Sequence, residues 1–269
     1  MSNPENVKNP PLLRVDDIVL SFGGIHAIKG VSFDIIKGEI RAVIGPNGAG
    51  KTAMLNVING FYKPDSGSIT FKGTTYSSVK PHTAASEGIA RTFQNVALFH
   101  GMSTLDNIMT GRTLKMKTSL FWHLFHWGPA ENEELANRAV VEEIIDFLEI
   151  QHIRHTPVGK LPFGLQKRVE LGRALAAEPL MLLLDEPMSG MNVEEKEDMS
   201  RFILNANEQL GTTIVLIEHD MGVVMDLSDR IVVMDRGLKI ADGIPEKIKT
   251  NKAVIDAYLG TTHQEHASA

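Results

Sequence analysis

The sequence of 269 residues contains no cysteine, which excludes disulfide scaffolds, thiolate metal sites and cysteine nucleophiles. It also has no apolar run that approaches the roughly 18 residues of a membrane-spanning helix, so we expect any membrane role to come through a partner. Basic residues are outnumbered, with 27 lysines and arginines against 33 acidic residues and a formal net charge of −6. Because nucleic-acid binders usually carry a basic surplus, we expect no nucleic-acid partner.

What is present is a regular alternation of apolar segments and turn residues. Segments rich in Val, Ile and Leu predict β-strands over Leu13–Phe22, Val31–Ile36, Glu39–Ile44, Ser66–Phe71, Met181–Leu184, Thr213–Ile217, Ile231–Met234 and Leu238–Ala241. Helical spacing predicts helices over Lys51–Asn59, Glu131–Ile150, Leu165–Ala177 and Glu194–Leu210. Together these elements predict an α/β fold with a mostly parallel sheet, an antiparallel β subdomain near the start and an inserted helical subdomain.

A glycine-rich loop joins a predicted buried strand to the first helix. Its residues are Gly45, Pro46, Asn47, Gly48, Ala49, Gly50, Lys51 and Thr52, which fit the phosphate-loop (P-loop) pattern G-x-x-x-x-G-K-[ST]. Glycines let the backbone curl so that successive N–H groups point at one phosphate, and the positive end of the helix adds to the attraction. Lys51 is expected to reach the β- and γ-phosphates, and Thr52 to offer its hydroxyl to Mg²⁺.

An acidic pair follows the apolar strand Met181–Leu184. Asp185 at the end of a buried strand would hold Mg²⁺ through water, as phosphoryl-transfer sites require. Glu186 would lie beside the attacking water and accept its proton. Taken alone, an Asp-Glu pair after a strand also fits a solvated turn. The complete P-loop elsewhere in the chain favours the catalytic interpretation.

The order of these elements resembles the nucleotide-binding domain of ABC transporters over nearly the whole chain. The resemblance implies one domain over residues 1–269, with a P-loop NTPase core that binds ATP and Mg²⁺ and hydrolyses the nucleotide. It places the ATP-binding core at about 12–94 and 178–260 and the helical signature subdomain at about 95–177. Residues 261–269 are expected to form a frayed tail.

The resemblance also assigns roles to three residues whose type alone would not single them out. Phe22, ahead of the P-loop, matches the aromatic residue that stacks on adenine in the family. Gln94 matches the glutamine that links Mg²⁺ and the attacking water to the transmembrane partner. His219 matches the switch histidine near the γ-phosphate.

The family's signature segment, normally Leu-Ser-Gly-Gly-Gln, begins a helix and contacts the γ-phosphate bound by the other subunit. The corresponding residues of this chain are Leu161, Pro162, Phe163, Gly164, Leu165 and Gln166. Gly164 is retained, but Pro162 lacks the serine hydroxyl, and losing that hydrogen bond to a charged group costs roughly 1.5–3 kcal/mol. Asn192 also replaces the usual acid of a nearby segment, and Ala53 replaces a hydroxyl residue that often follows the P-loop threonine.

The changes at Pro162 and Asn192 affect contacts across a dimer of nucleotide-binding subunits. We therefore expect this chain to pair with a second ATPase subunit that has an intact signature, in preference to forming a homodimer. Its own P-loop, with Glu186 and the partner's signature, would then hydrolyse ATP, and the opposite site would be weaker.

Three further sequence patterns, less specific than the P-loop, resemble the branched-chain amino-acid importer group. They are Gly88 to Asn95, Leu216 to Met221 and the ending Tyr258-Leu259-Gly260. The resemblance implies a multi-subunit importer with two transmembrane permease subunits and, indirectly, a periplasmic or extracellular solute-binding protein. It places the chain at the cytoplasmic face of the inner membrane.

Two other functions fit the same core. One is the ATPase subunit of an exporter such as a lipopolysaccharide-type system, and the other is a soluble ABC ATPase of translation or DNA repair. The aromatic segment 114–127 fits either a contact with permease or membrane or a local helical minicore. His123 and His126, three residues apart within it, are the one histidine pair considered for metal binding, and we expect no metal there.

Overall fold

The computed structural model describes residues 10–92, 97–115 and 129–265, and side chains within this range except those of 129–132 and 259–265. The chain forms two compact units. The first combines Met1–Pro81 with Thr213–Ala269, and the second is His82–Thr212. In the described ranges, no helix is both long and apolar enough to cross a membrane.

The regular elements are numbered here in chain order. The described strands are β1 (Leu13–Phe22), β2 (Ile25–Ile35), β3 (Ile40–Ile44), β4 (Ser66–Phe71), β5 (Thr74–Tyr76), β6 (Ile89–Arg91), β7 (Met181–Asp185), β8 (Thr213–Ile217), β9 (Arg230–Asp235) and β10 (Leu238–Gly243). The described α-helices are α1 (Lys51–Ile58), α2 (Pro81–Ser86), α3 (Thr104–Met109), α4 (Pro129–Phe147), α5 (Phe163–Leu175), α6 (Val193–Glu208), α7 (Met221–Leu227), α8 (Pro245–Lys249) and α9 (Lys252–Glu265). Short 3₁₀ turns occupy Thr110–Arg112, Gln151–Ile153 and Val158–Lys160.

The first unit contains an antiparallel sheet and a set of mostly parallel strands. The antiparallel sheet has the order β2-β1-β4-β5. In β1, Leu13 and Val15 are buried and the intervening Arg14 is exposed, because alternate side chains of a strand point to opposite faces. The other strands have the order β10-β9-β3-β8, in which β3 pairs in parallel with both β9 and β8. All five residues of β3 are buried, as expected for a central parallel strand.

The second unit contains most of the helices and one parallel pair of strands. β6 pairs with β7 in parallel, with Arg91 opposite Leu183. Helix α3 packs against α4 and α5. The buried face of α4 includes Val141, Ile145 and Leu148 just beyond its end, which lie at helical spacing. The predicted helical subdomain, 95–177, lies inside this unit.

These elements confirm the predicted fold class, since parallel strands alternate with helices beside an antiparallel sheet and a helix-rich insertion. Two local predictions were wrong. Strand β2 begins at Ile25 rather than at Val31, because its first residues pair with the end of β1, Phe22 opposite Ile25. Helix α9 continues through Glu265, so residues 261–265 are helical although their polar composition predicted a tail.

Candidate functional site

The P-loop begins where buried strand β3 ends, and its backbone is confined by neighbours of the same unit. Gly45 has φ +149°, and a Cβ atom there would lie 2.0 Å from the carbonyl oxygen of Met234. Gly50 has φ +98°, and a Cβ atom there would lie 2.5 Å from the carbonyl oxygen of Ala27. Both positions therefore accept only glycine, for reasons of space as well as backbone conformation.

The side chain of Lys51 turns back into the loop that precedes it. Its Nζ atom donates to the carbonyl oxygens of Gly45 at 2.7 Å and Pro46 at 3.0 Å, and the residue is only 6% exposed. Lys51 begins α1, followed by the half-buried Thr52 and Ala53. Within the described residues, no side chain caps this end of the helix and no acidic residue lies in its first turn. The arrangement concentrates positive charge and N–H donors where an anion would bind.

An exposed aromatic pair lies at the hairpin between β1 and β2. Phe22 is 46% exposed, and its ring meets the ring of Tyr62 edge to face with centroids 5.0 Å apart. The same hairpin carries Ala27, whose carbonyl lies against Gly50 of the P-loop. Phe22 is therefore an exposed aromatic residue on the hairpin that borders the loop. Tyr62 was not singled out from the sequence, although two consecutive exposed aromatics, Phe61 and Tyr62, are an unusual signal.

His219 follows β8, the parallel neighbour of β3. Because parallel strands bring their carboxyl ends to the same sheet edge, His219 and the P-loop lie at one edge of the first unit. The side chain of His219 is exposed, and its backbone N–H donates to the buried Glu218 carboxylate at 3.1 Å. Asp220 then caps α7 by accepting from the Gly222 N–H at 3.2 Å. These bonds fix the backbone on both sides of the histidine.

In the second unit, Asp185 ends strand β7 and is 1% exposed. Its Oδ2 atom accepts from Nη2 of Arg91 at 2.8 Å, and both side chains are buried. The partner comes from the adjacent strand β6, whose parallel register sets Arg91 opposite Leu183. Arg91 was not predicted as a site residue, although it lies in the Gly88 to Asn95 pattern noted in the sequence.

Glu186 has a backbone conformation that residues with a side chain rarely adopt. Its φ angle is +52°, and its side chain is half-buried. The carbonyl oxygen of Glu186 accepts from the N–H of Ser189 at 3.2 Å, so the chain turns sharply after β7. Strained residues of this kind cluster at functional sites, where the surrounding structure enforces them.

The signature segment forms the start of α5. Pro162 precedes the helix, and the 46% exposed ring of Phe163 packs against Gly190. Gly164 is buried against Glu195, whose Oε1 atom would lie 2.2 Å from a Cβ atom at that glycine. Gln166 points back along the helix and donates to the carbonyl oxygen of Leu161 at 2.8 Å. Leu165 is half-buried beside it.

Asn192, which replaces the usual acid of the family, caps a helix. Its side chain accepts from the Glu195 N–H at 2.9 Å, and the Glu195 carboxylate accepts from the Asn192 N–H at 3.0 Å. This reciprocal capping box begins α6. Two predicted features lie outside the described residues. They are Gln94 and the part of the aromatic segment from 116 to 127.

Comparison with known proteins decides the family. Residues 28–189 match the model of the ABC transporter family. The chain belongs to the ABC transporter family. Residues 239–264 of this ABC protein also match the model of a branched-chain amino acid ATP-binding cassette transporter.

Individual relatives match this ABC protein over most of its length. The high-affinity branched-chain amino acid transport ATP-binding protein LivG of Salmonella typhimurium is 40% identical over 253 residues, which cover 93% of this chain and 98% of LivG. The corresponding protein BraF of Pseudomonas aeruginosa is 36% identical over 250 residues, with the same shares covered.

Solved structures give the same result. A nucleotide-free ATP-binding cassette from an ABC transporter has 32% identity and a TM-score of 0.80, covering 93% of this chain and 99% of that one. An ADP conformation of an ABC transporter cassette has 32% identity and a TM-score of 0.81, covering 94% and 100%. This ABC protein therefore has the cassette fold and binds nucleotide, as a transporter subunit with membrane permease partners.

Proposed function

We propose that this chain is the ATP-hydrolysing subunit of an importer for branched-chain amino acids. The observation that carries the proposal is the P-loop at the end of β3. Lys51 turns into this loop, and the neighbouring backbone leaves no space for a side chain at Gly45 or Gly50. The match of residues 239–264 to the branched-chain amino acid group, and the names of LivG and BraF, support this solute class over an exporter.

Nucleotide binding follows from the residues of the first unit. The N–H groups from Asn47 to Thr52 cradle the phosphates, and the Lys51 ammonium exchanges its carbonyl contacts for phosphate oxygens. The exposed face of Phe22 takes the adenine ring, with Tyr62 holding the phenylalanine ring from the side. His219, at the same sheet edge, is the candidate sensor of the γ-phosphate.

The residues present also suit Mg²⁺, which prefers oxygen ligands and keeps several waters. By resemblance to the family, the Thr52 hydroxyl, the Asp185 carboxylate and the Gln94 amide are the groups assigned to the ion. When bound, Mg²⁺ neutralises phosphate charge. In its buried place the Asp185 carboxylate pairs with Arg91. Glu186, aimed by its unusual backbone, accepts the proton of the attacking water.

The signature segment supports pairing with a different ATPase subunit. Pro162 offers no hydroxyl, and the Glu195 carboxylate lies against Gly164, so negative charge stands where the partner's γ-phosphate would approach. A partner with an intact signature would complete the P-loop site of this chain. We propose such a heterodimer on two permease subunits at the cytoplasmic face of the inner membrane, supplied by a solute-binding protein.

The proposal is tested by replacing Lys51 with alanine and measuring MgATP affinity by direct binding. Lys51→Ala removes charge-assisted bonds to phosphate, so we expect the dissociation constant to rise roughly tenfold to a hundredfold. Lys37→Ala, which removes the same charge from an exposed turn of the same unit, is the matched control and should bind as wild type. An absence of MgATP binding by the wild type, or an unchanged affinity in Lys51→Ala, would contradict the proposal.

A further inference from the structure

Arg91 and Asp185 end two adjacent parallel strands of the second unit, β6 and β7. The register sets Arg91 opposite Leu183, which lies two residues before Asp185. Because side chains two residues apart on a strand point to the same face, Arg91 and Asp185 lie on one face of this strand pair. Nη2 of Arg91 donates to Oδ2 of Asp185 at 2.8 Å. The guanidinium therefore reaches forward along the sheet face to the carboxylate at the strand end.

Both partners of this ion pair are withdrawn from water. The side chain of Arg91 is 7% exposed and that of Asp185 is 1% exposed. Arg112 and Glu178 form a contrasting pair in the same unit, since their distance is also 2.8 Å but the Glu178 carboxylate is 54% exposed. The carboxyl ends of parallel strands are where ligands bind in α/β sheets. Asp185 is therefore a buried carboxylate, held by an arginine, at an edge suited to a ligand.

A carboxylate that binds a metal ion depends on the groups that hold the carboxylate itself. Such outer partners fix the orientation of the ligand, and their loss typically lowers metal affinity by roughly tenfold to a hundredfold. Arginine suits this role because its guanidinium is planar, permanently charged and rich in hydrogen-bond donors. The contact with Arg91 therefore determines how the Asp185 carboxylate is presented at the strand end.

We propose that Arg91 is a positioning residue for Mg²⁺: its guanidinium holds the Asp185 carboxylate in the orientation that receives the ion of a bound nucleotide. This inference rests on the proposed ATP-binding function and adds a residue to it. Arg91 acts through Asp185 and needs no contact of its own with the nucleotide. The inference also gives a physical role to the Gly88 to Asn95 pattern, in which Arg91 lies three residues before Gln94.

Arg91→Gln tests the proposal through the effect of Mg²⁺ on nucleotide binding. The full chain is titrated with a non-hydrolysable ATP analogue, once with Mg²⁺ and once with EDTA. The ratio of the two dissociation constants measures how strongly Mg²⁺ and nucleotide favour each other. We expect Arg91→Gln to lower this ratio roughly tenfold or more. Affinity in EDTA should be unchanged, because the P-loop of the first unit is intact.

Arg112→Gln is the matched control. It also removes a buried guanidinium, 8% exposed, that pairs with a carboxylate at 2.8 Å in the same unit. We expect it to lower the melting temperature and to leave the Mg²⁺ ratio as in wild type, since Glu178 has no part in the nucleotide site. Arg91→Lys retains the charge without the planar fork of donors, so it should restore part of the ratio. In an Asp185→Asn background, Arg91→Gln should lower the ratio no further.

An unchanged ratio in Arg91→Gln, or an equal fall in Arg112→Gln, would overturn the proposal. A raised ratio would overturn it as well, because it would show that Arg91 competes with Mg²⁺ for the carboxylate. If Arg91→Gln does not fold, Arg91→Lys decides by the same criteria, with a smaller fall expected. A wild type that binds the analogue equally with Mg²⁺ and with EDTA contradicts the role of Arg91 alone. A wild type that binds it under neither condition contradicts the proposed function, and the inference falls with it.

Discussion

At the scale of single residues, Glu186 combines its proposed chemical role with a conformational cost. Its φ of +52° brings Cβ close to the following carbonyl, which costs a residue with a side chain about 1 kcal/mol or more relative to glycine. The protein keeps a glutamate there although glycine would fit the backbone better. If the proposed function holds, the need for a carboxylate at that point in proton transfer accounts for the retained strain.

Comparison of Glu186→Gly with Glu186→Ala tests both the backbone strain at this position, through stability, and the role of the carboxylate, through ATPase turnover. Both remove the carboxylate, so we expect both to lose ATPase turnover by about a hundredfold or more. Glycine at an ordinary position is less stable than alanine by roughly 0.5–1 kcal/mol, but here we expect Glu186→Gly to be more stable by about 1 kcal/mol in urea denaturation. If the alanine variant is the more stable one, the position is not strained, and if turnover survives, Glu186 is not the base.

At the scale of elements, the start of α6 joins helix capping to the signature segment. The capping box of Asn192 holds the Glu195 backbone and side chain, and the same carboxylate packs against Gly164 at the start of α5. Asparagine and aspartate are equally good caps, so the departure at Asn192 leaves the helix start intact. What changes is the charge at position 192, where a neutral amide replaces the usual carboxylate.

Asn192→Ala should lower the free energy of unfolding by about 1 kcal/mol, because the Glu195 N–H loses its acceptor. Asn192→Asp, the control that restores the usual acid, should stay within about 0.5 kcal/mol of wild type. Both values come from urea denaturation of the isolated chain. Equal destabilisation by the two substitutions would show that the Asn192 cap is not what stabilises α6.

At the scale of the whole molecule, the P-loop and the signature segment differ in how closely they match the family pattern. The P-loop retains every element of its pattern, and the signature segment has Pro162 and Phe163 where the family has serine and glycine. The chain is therefore better suited to bind its own nucleotide than to complete the site of a partner. This difference is the basis for expecting a heterodimer.

Restoring the missing hydroxyl at position 162 tests whether the signature segment is the weaker of the two. In a homodimer of the isolated chain each signature faces a P-loop, so Pro162→Ser should raise ATP turnover by roughly tenfold or more through the regained hydrogen bond. Pro81→Ser, at the start of α2, makes the same substitution at another helix start and should leave turnover unchanged. Full turnover by the wild-type homodimer, unaffected by Pro162→Ser, would refute the asymmetry.

The prediction of elements succeeded for apolar strands between clear turns and failed for several helices. The strands Ser66–Phe71 and Thr213–Ile217 were predicted with their observed bounds, because apolar residues lie between clear turns. Helices α2, α3, α7 and α8 were missed, since five to seven residues do not establish a helical period. Their ends are set by caps such as Ser103 at α3, and by packing. Helix α9, with 14 residues, was missed as well, and its polar end was predicted to be a tail.

The sequence by itself determined the P-loop and the strands around it, because glycine conformation, the Lys51 side chain and apolar strand composition act between close neighbours along the chain. The tertiary structure alone decided which distant groups meet: Arg91 reaches Asp185 through parallel strand pairing, and Glu195 covers Gly164. Each of these contacts joins residues distant in sequence. No local propensity encodes such a contact, since it depends on how whole elements pack to bury their apolar faces.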